Sequence, residues 1–543
     1  MSSVVTILFL LLAVVVSGAL ARLTRLPLPL VQIGLGVAIA LSVVPTVQLD
    51  PELFFLLFLP PLLFLDGWRI PKDDLLRDRA TVLELAIGLV VLTVVGVGFL
   101  IHWLIPAMPL PVAFALAAVV SPTDPIAVSA IAARVPLPKR VMHILEGESL
   151  LNDASGLVCM RFAVAAMLTG SFVIQEALLT FLWLALGGIA IGVGVTWAVS
   201  LAKQQISQRL GEDTSAQILV SLLIPFGAYM VAEHFHCSGI LAAVAAGVTM
   251  GFTEQSGQAL AATRVRRAAV WDVVQFAANG VIFVLLGEQM PGLWSSASQT
   301  VLASGHTEPW WLLVYVLAIS AALGSMRFAW VWASLRLTIF KARRRGEPAQ
   351  KVSRRLMLAM SFAGVRGAIT LAGVLTLPLT LTDGTPFPAR DLAIALAAGV
   401  ILVSLVVASV GLPRVLKGLE LPPEPSRQTE IDHTRVAAAQ AAIQAIEDEQ
   451  HAMGAGQTDA DLYTEASVRV MESYRARIDG RAETPEFAAQ RRKIEDIERR
   501  LRLVGLRAER DEIYRRARAR EVEDDLARKL VRDIDLMEAR YTG

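Results

Sequence analysis

Two short stretches of this 543-residue chain carry side chains that are costly to bury and suited to handling small cations. The first is Ser121-Pro122-Thr123-Asp124-Pro125, set inside an otherwise apolar run. Its two prolines remove backbone donors and break a helix, which frees carbonyls beside Thr123 and Asp124 to coordinate a desolvated cation. A plain proline kink, with Asp124 bonded to nearby backbone, is the bland reading. An acid at a broken apolar helix weighs against it. The second stretch is Glu146-Gly147-Glu148-Ser149-Leu150-Leu151-Asn152-Asp153-Ala154-Ser155. On a helix, Ser149 and Asp153 share one face at i, i+4, and Glu148, Asn152 and Ser155 share the neighbouring one. Hard cations such as sodium favour carboxylate, hydroxyl and carbonyl oxygens over sulfur or imidazole. Asp153, Ser149, Thr123 and Asp124 with the broken helix supply that set, with Asn152 alongside. An acidic helix cap accounts for Glu146 but not for Asp153, about two turns deeper.

Cationic partners lie in later segments. Arg327 and Arg366, the latter within Gly364-Val365-Arg366-Gly367, sit deep in apolar runs and need anionic or carbonyl partners. The expected pairing is Arg327 with Glu148, which leaves Arg366 to brace the crossing of the broken helices. Permanent neutralisation of Glu148 then leaves Asp153 free to alternate between cation and proton. Arg161 stays open between bonding carbonyls at a helix interface and a transport role.

These residues are held by elements that the composition places in a bilayer. A chain with 55% hydrophobic residues and a mean hydropathy of +0.56 exposes too much apolar surface for water. The fold class expected is an all-α integral membrane protein. Apolar windows of the length that a hydrocarbon core requires fall at residues 3–21, 28–45, 52–67, 80–101, 111–133, 142–169, 173–200, 214–232, 239–252, 268–287, 309–338, 356–378 and 391–413, thirteen spans with the first retained. Lys and Arg collect after the odd-numbered spans, as at Arg69, Lys72, Arg77, Arg79, Lys139, Arg140 and the 341–355 cluster, whereas the other connections hold only Arg390. Basic loops stay cytoplasmic, so the N-terminus is expected outside and the C-terminus inside. Thirteen divides as six, one and six, which permits an inverted repeat whose fifth and twelfth spans carry the interruptions: Pro122 and Pro125 in one, Gly364 and Gly367 in the other. Residues 1–417 then form the membrane domain, 418–426 a linker, and 427–543 a charged helical cytoplasmic tail with apolar positions such as Ile494, Ile497, Leu501 and Val504. Regulation or dimer stabilisation is one reading of that tail, and a dispensable solvated appendage the other.

Other chemistries find little support. A net charge of +1 makes no case for nucleic acid. No Walker-type loop is present, so neither a nucleotide nor a cofactor is expected and the energy must come from ion gradients. Gly147-Glu148-Ser149-Leu150-Leu151 lacks the second glycine and the preceding strand of a hydrolase elbow, and Asp124 and Asp153 do not sit in a protease signature. The chain reads as no enzyme. Cys159 and Cys237 lie in or beside apolar segments as packing residues. Glu233-His234-Phe235-His236-Cys237 resembles a metal cluster only superficially, being one short segment at a span end, and is expected to be a polar loop. His143, at the cytoplasmic mouth of span 6, is read as an ordinary interfacial histidine in preference to one that tunes a pH response. Asp272, Gln275 and Asn279, at i, i+3, i+7, either line a funnel or pack against a neighbour.

Together, the Ser121–Pro125 and Glu146–Asp153 stretches and Phe362-Ala363-Gly364-Val365-Arg366-Gly367-Ala368 closely resemble the cation:proton antiporters related to animal sodium/hydrogen exchangers, over residues 1–417. The resemblance implies a homodimer in the cell membrane. It implies spans 4–6 and 11–13 as a mobile core moving, elevator-like, against a dimerisation scaffold. Asn152-Asp153 corresponds to the Asn-Asp pair of the electroneutral branch, implying one cation per proton. From the residues alone, one carboxylate that must hold either ion before crossing gives strict exchange, and competition predicts a bell-shaped pH dependence. A cation channel using the same oxygens would not need that titratable carboxylate. Sodium is the first choice of cation and potassium the alternative.

Overall fold

A bilayer offers no hydrogen-bond partners to the backbone, so apolar sequence of this kind must satisfy its own N–H and C=O groups as helix. The structure, a computed structural model, describes residues 2–42, 51–70, 84–124, 128, 139–169, 174–255, 260–303, 310–344, 354–381, 383–417, 425–454, 460–479 and 485–542. These residues are almost entirely helical, and an isolated bridge between Thr380 and Pro386 is the one β pairing among them. Two compact units separate at Glu420 and Leu421.

In the first unit the helices are α1 (Ser2–Thr24), α2 (Leu28–Ala40), α3 (Pro51–Arg69), a π-turn (Glu84–Leu89) running into α4 (Val90–Leu104), α5 (Leu110–Val120), α6 (Lys139–Thr169), α7 (Ile174–Leu210), α8 (Thr214–His234), α9 (Gly239–Gln255), α10 (Ala261–Ala303), α11 (Trp311–Arg344), α12 (Arg354–Phe362), α13 (Ala368–Leu375) and α14 (Arg390–Leu416). Eight helices among the described residues are long and apolar enough to cross a membrane, and α2, α5 and α9 are shorter apolar ones. Helices α7 and α10 run well beyond the apolar windows read from sequence. Polar ends such as Lys203-Gln204-Gln205 continue a helix in water as readily as apolar residues do in lipid.

Packing sorts these helices into two groups. On one side α2 lies along α10, and α9 lies between α3 and α7, with α8 alongside. Backbones touch there: a Cβ on Gly287 would strike the Ile33 carbonyl, and one on Gly36 the backbone of α10. Lipid supplies no hydrophobic drive for helix pairing, so close contact between small residues is what holds such pairs. On the other side α4, α5 and α6 pack in sequence, and α14 gathers α11, α12 and α13 around it. Helix α3 meets this second group at α13 and α6, and α10 meets it at α14 and α13.

Two interruptions sit in the second group. Helix α5 stops at Val120 before the irregular residues 121–124, and residues 363–367 separate α12 from α13. The breaks meet, with the Asp124 N–H donating to the Val365 carbonyl at 2.7 Å. Each interruption thereby satisfies part of the backbone that the other exposes. Pro125 lies outside the described residues.

The second unit contains α15 (Pro425–Gly454) paired with α16 (Ala460–Asp479), and α17 (Pro485–Arg518) paired with α18 (Asp524–Thr542). Its surface is charged, and α17 and α18 are tied by Arg507 and Arg510 reaching Asp535 and Glu538.

Candidate functional site

Helix α6 presents its polar run at the level of both breaks, and the two stripes read from sequence separate into two jobs. Glu148 is fully buried, and Arg327 of α11 grips it with both terminal nitrogens, at 2.5 and 2.9 Å. The remaining Arg327 Nε–H donates to the Met360 carbonyl at 2.9 Å, in the last turn of α12. A buried bidentate pair with its leftover proton satisfied is a fixed neutral unit. On its other side Glu148 accepts from the Thr123 hydroxyl at 3.5 Å, which in turn accepts from the Asn152 amide at 3.1 Å. The chain Asn152 to Thr123 to Glu148 to Arg327 thus sews the first break to α6 and α11. The Asn152 Oδ1 is buried with no hydrogen-bond partner among the described residues.

Asp153 stands on the adjacent stripe, 3% exposed, and receives the Ser149 hydroxyl at 3.5 Å. No arginine or lysine pairs with it among the described residues. Arg366 is spent elsewhere: its Nε donates to the Val120 carbonyl at 2.9 Å, a terminal nitrogen to the Gly364 carbonyl, and its backbone N–H to Ser404 at 3.0 Å. It therefore ties the end of α5 to the second break through carbonyls. At Gly367 any Cβ would collide with the Asp124 carboxylate, so glycine alone lets the two breaks close on each other.

A small cavity opens between these groups, bordered by Asp124, Ser149 and Asp153 on one side and by Asp66 of α3 and Asn279 of α10 on the other. It holds about 20 Å³ of free space, room for roughly one water-sized particle. Thr123 and Thr370 also border it, so the lining oxygens are carboxylate, hydroxyl and amide, the donors a hard monovalent cation takes up after shedding water.

One lining residue has no place in the sequence reading, and another enters it only as part of a stripe that either lines a funnel or packs against a neighbour. Asp66 lay unremarked in the third span, although an acid one turn before Arg69 inside an apolar run carried the same warning as Asp153. Asn279 belongs to the stripe with Asp272 and Gln275, and the structure divides that stripe. Arg69 binds Asp272 at 2.5 Å and Gln275 at 2.8 Å near the surface, and Asn279 alone reaches the cavity. Arg161 pairs with Glu233 at the end of α8, at 2.9 Å, away from the cavity. Glu233 also accepts the Gly239 N–H at 3.3 Å, which makes it a turn-stabilising acid where the sequence had a superficial metal motif. His143 is half-buried in the first turns of α6.

Comparison with known proteins points the same way. The description "sodium/hydrogen exchanger, transmembrane" matches residues 8–418. A relative named an uncharacterized Na(+)/H(+) exchanger, from Escherichia coli (strain K12), is 43% identical over 545 residues, covering 98% of both chains. A sodium, potassium, lithium and rubidium/H(+) antiporter from Bacillus pumilus (strain SAFR-032) is 38% identical, over 95% of this chain and 75% of its own. Among solved structures, the sodium proton antiporter MjNhaP1 from Methanocaldococcus jannaschii at pH 8 superposes with a TM-score of 0.58 at 19% identity, over 77% of this chain and 99% of that one. That likeness is one of fold.

Proposed function

This chain belongs to the sodium/hydrogen exchanger family, a family of multi-pass membrane transporters, and on that premise we propose that it exchanges sodium for protons by competition at Asp153. The observation that carries the reading is the division of labour on α6: Glu148 is neutralised by Arg327, and Asp153, one turn on, faces the cavity without a basic partner among the described residues. A bare carboxylate there is costly, so either a proton or a cation must accompany it. Exchange follows because the site crosses only when occupied.

The wider cycle rests on the family resemblance and on the two packing groups. The group holding the breaks is the proposed mobile core and the group of α3 and α10 the proposed scaffold, with the cavity between them as the plane of elevator-like movement. Asn152 in place of a second acid supports one cation per proton. A homodimer in the cell membrane, with the tail cytoplasmic, completes the proposal. Potassium is the second reading, favoured by the breadth of cations in the Bacillus pumilus relative's name.

Cation-driven proton flux in proteoliposomes tests it, with sodium, potassium and lithium compared side by side. Sodium should drive flux that saturates, with a rate that rises and then falls across pH and does not respond to an imposed membrane potential. Asp153→Asn should bring flux to background with protein amount unchanged. Retained exchange in that variant would overturn the assignment, and a rate rising monotonically with pH would remove the competition.

A further inference from the structure

Helix α17 of the second unit has two unlike faces. One packs on α18, with Leu506 buried and Arg499 and Arg502 reaching Tyr541. On the opposite face Ile494, Ile497, Leu501 and Val504 are 46%, 50%, 66% and 63% exposed. Their spacing of three, four and three is the a and d register of a heptad repeat, a narrow seam of two aliphatic residues per heptad. Ala508 continues it.

From this seam we infer that α17 pairs with α17 of a second copy of this chain in a parallel, in-register coiled coil. The signs of the flanking charges favour a parallel over an antiparallel pair. One flank, the g positions, carries Lys493, Arg500 and Arg507, and the other, the e positions, carries Glu498, Gly505 and Glu512. In a parallel pair each g residue meets the e residue five places on in the partner chain. Lys493 then faces the partner's Glu498, which in its own helix holds Arg502. Arg507, 3.7 Å from Glu538 of its own α18, faces the partner's Glu512, which in its own helix holds Arg515 and Arg516. These are exposed pairs that an inter-chain contact can share. An antiparallel pair would set basic flank against basic flank. A membrane-binding helix would present a broader apolar face with cations on both borders. A seam this short is weak by itself, and its strength comes from attachment: tails held on neighbouring membrane domains meet at high effective concentration.

The test is cysteine crosslinking of the full-length protein in its membrane, with Cys159→Ser and Cys237→Ser as background. Ile494→Cys and Val504→Cys, each oxidised with copper phenanthroline, should both give a covalent dimer. An antiparallel pair can join at most one of two positions ten residues apart. Asp496→Cys, exposed on neither face, should crosslink at least tenfold less. No dimer at 494 and 504, in protein whose cysteines still react with a soluble maleimide, overturns the proposal, as does equal crosslinking at 496. A fluorophore at Leu501→Cys quenched by brominated lipid would likewise overturn it, by placing the seam on the bilayer.

Discussion

The two walls of the cavity are built differently. On the wall formed by α6 and the breaks, buried charges are committed beside the cavity: Glu148 to Arg327, and Arg366 to the Val120 and Gly364 carbonyls. On the side of α3 and α10, Arg69 meets Asp272 near the surface, with side chains 38% and 65% exposed. Arg267 of α10, 2% exposed, holds Glu254 of α9, which also accepts from the Trp68 indole of α3. Neither pair borders the cavity. One wall fixes its charges next to the charge-sensitive site, and the other keeps its ion pairs away from the cavity, one of them at a solvated rim. The difference teaches where energy is concentrated. A desolvated bidentate pair is expensive to break, whereas an exposed pair contributes about 1 kcal/mol or less.

Breaking the first wall should therefore have the largest effect. Arg327→Ala strands Glu148 in an apolar interior, a cost of about 3–5 kcal/mol, and should sharply reduce the folded protein recovered and its melting temperature. Replacing Arg327 and Glu148 together with Met and Leu should restore much of the stability, since the uncompensated charge goes with its partner. If the single variant is as stable as the parent, the rigid-wall reading fails.

Gly367→Ala pushes a methyl into the Asp124 carboxylate and so separates the crossing breaks. Turnover should fall on the order of tenfold to a hundredfold, as for a displacement of about an ångström at a reacting site, with stability affected less than by Arg327→Ala. Flux against cation concentration measures this. Asp66→Asn removes a carboxylate from the opposite wall, and the sodium concentration for half-maximal flux should rise by roughly tenfold, equivalent to about 1.4 kcal/mol. An unchanged value would put Asp66 outside the ion's reach. The smallest effect is expected at the rim: Arg69→Ala should alter flux by no more than a few-fold, within about 1 kcal/mol, and the change should shrink as salt screens the exposed pair. A large, salt-insensitive loss would show that the second wall is as rigid as the first.

How much of this was legible in sequence follows the same division. Apolar length and the cost of buried charge act locally, so helical membrane character, the interruptions at Pro122 and Gly364, and the polar run of α6 could be read residue by residue. The i, i+4 relation of Ser149 and Asp153 comes from helix geometry alone. Two buried arginines and the acids Glu148 and Asp124 leave more than one pairing open in sequence; Arg327 with Glu148 is the expected one, and the structure sets them 2.5 Å apart. Asp66 carries the local cost of an acid in an apolar run, but with Arg69 one turn on, the residue order does not say whether it turns to the cavity or to the surface.

What the amino-acid order determined by itself is the solvent of this protein and the inventory of oxygens and charges buried in it, because both depend on side-chain type and on the period of one helix. Only the tertiary structure decided which of those groups face each other. Bringing Asp66 and Asn279 opposite Asp153, spending Arg366 on carbonyls and closing Gly367 on Asp124 depend on how helices far apart in the chain cross, and close packing of complementary surfaces sets those crossings.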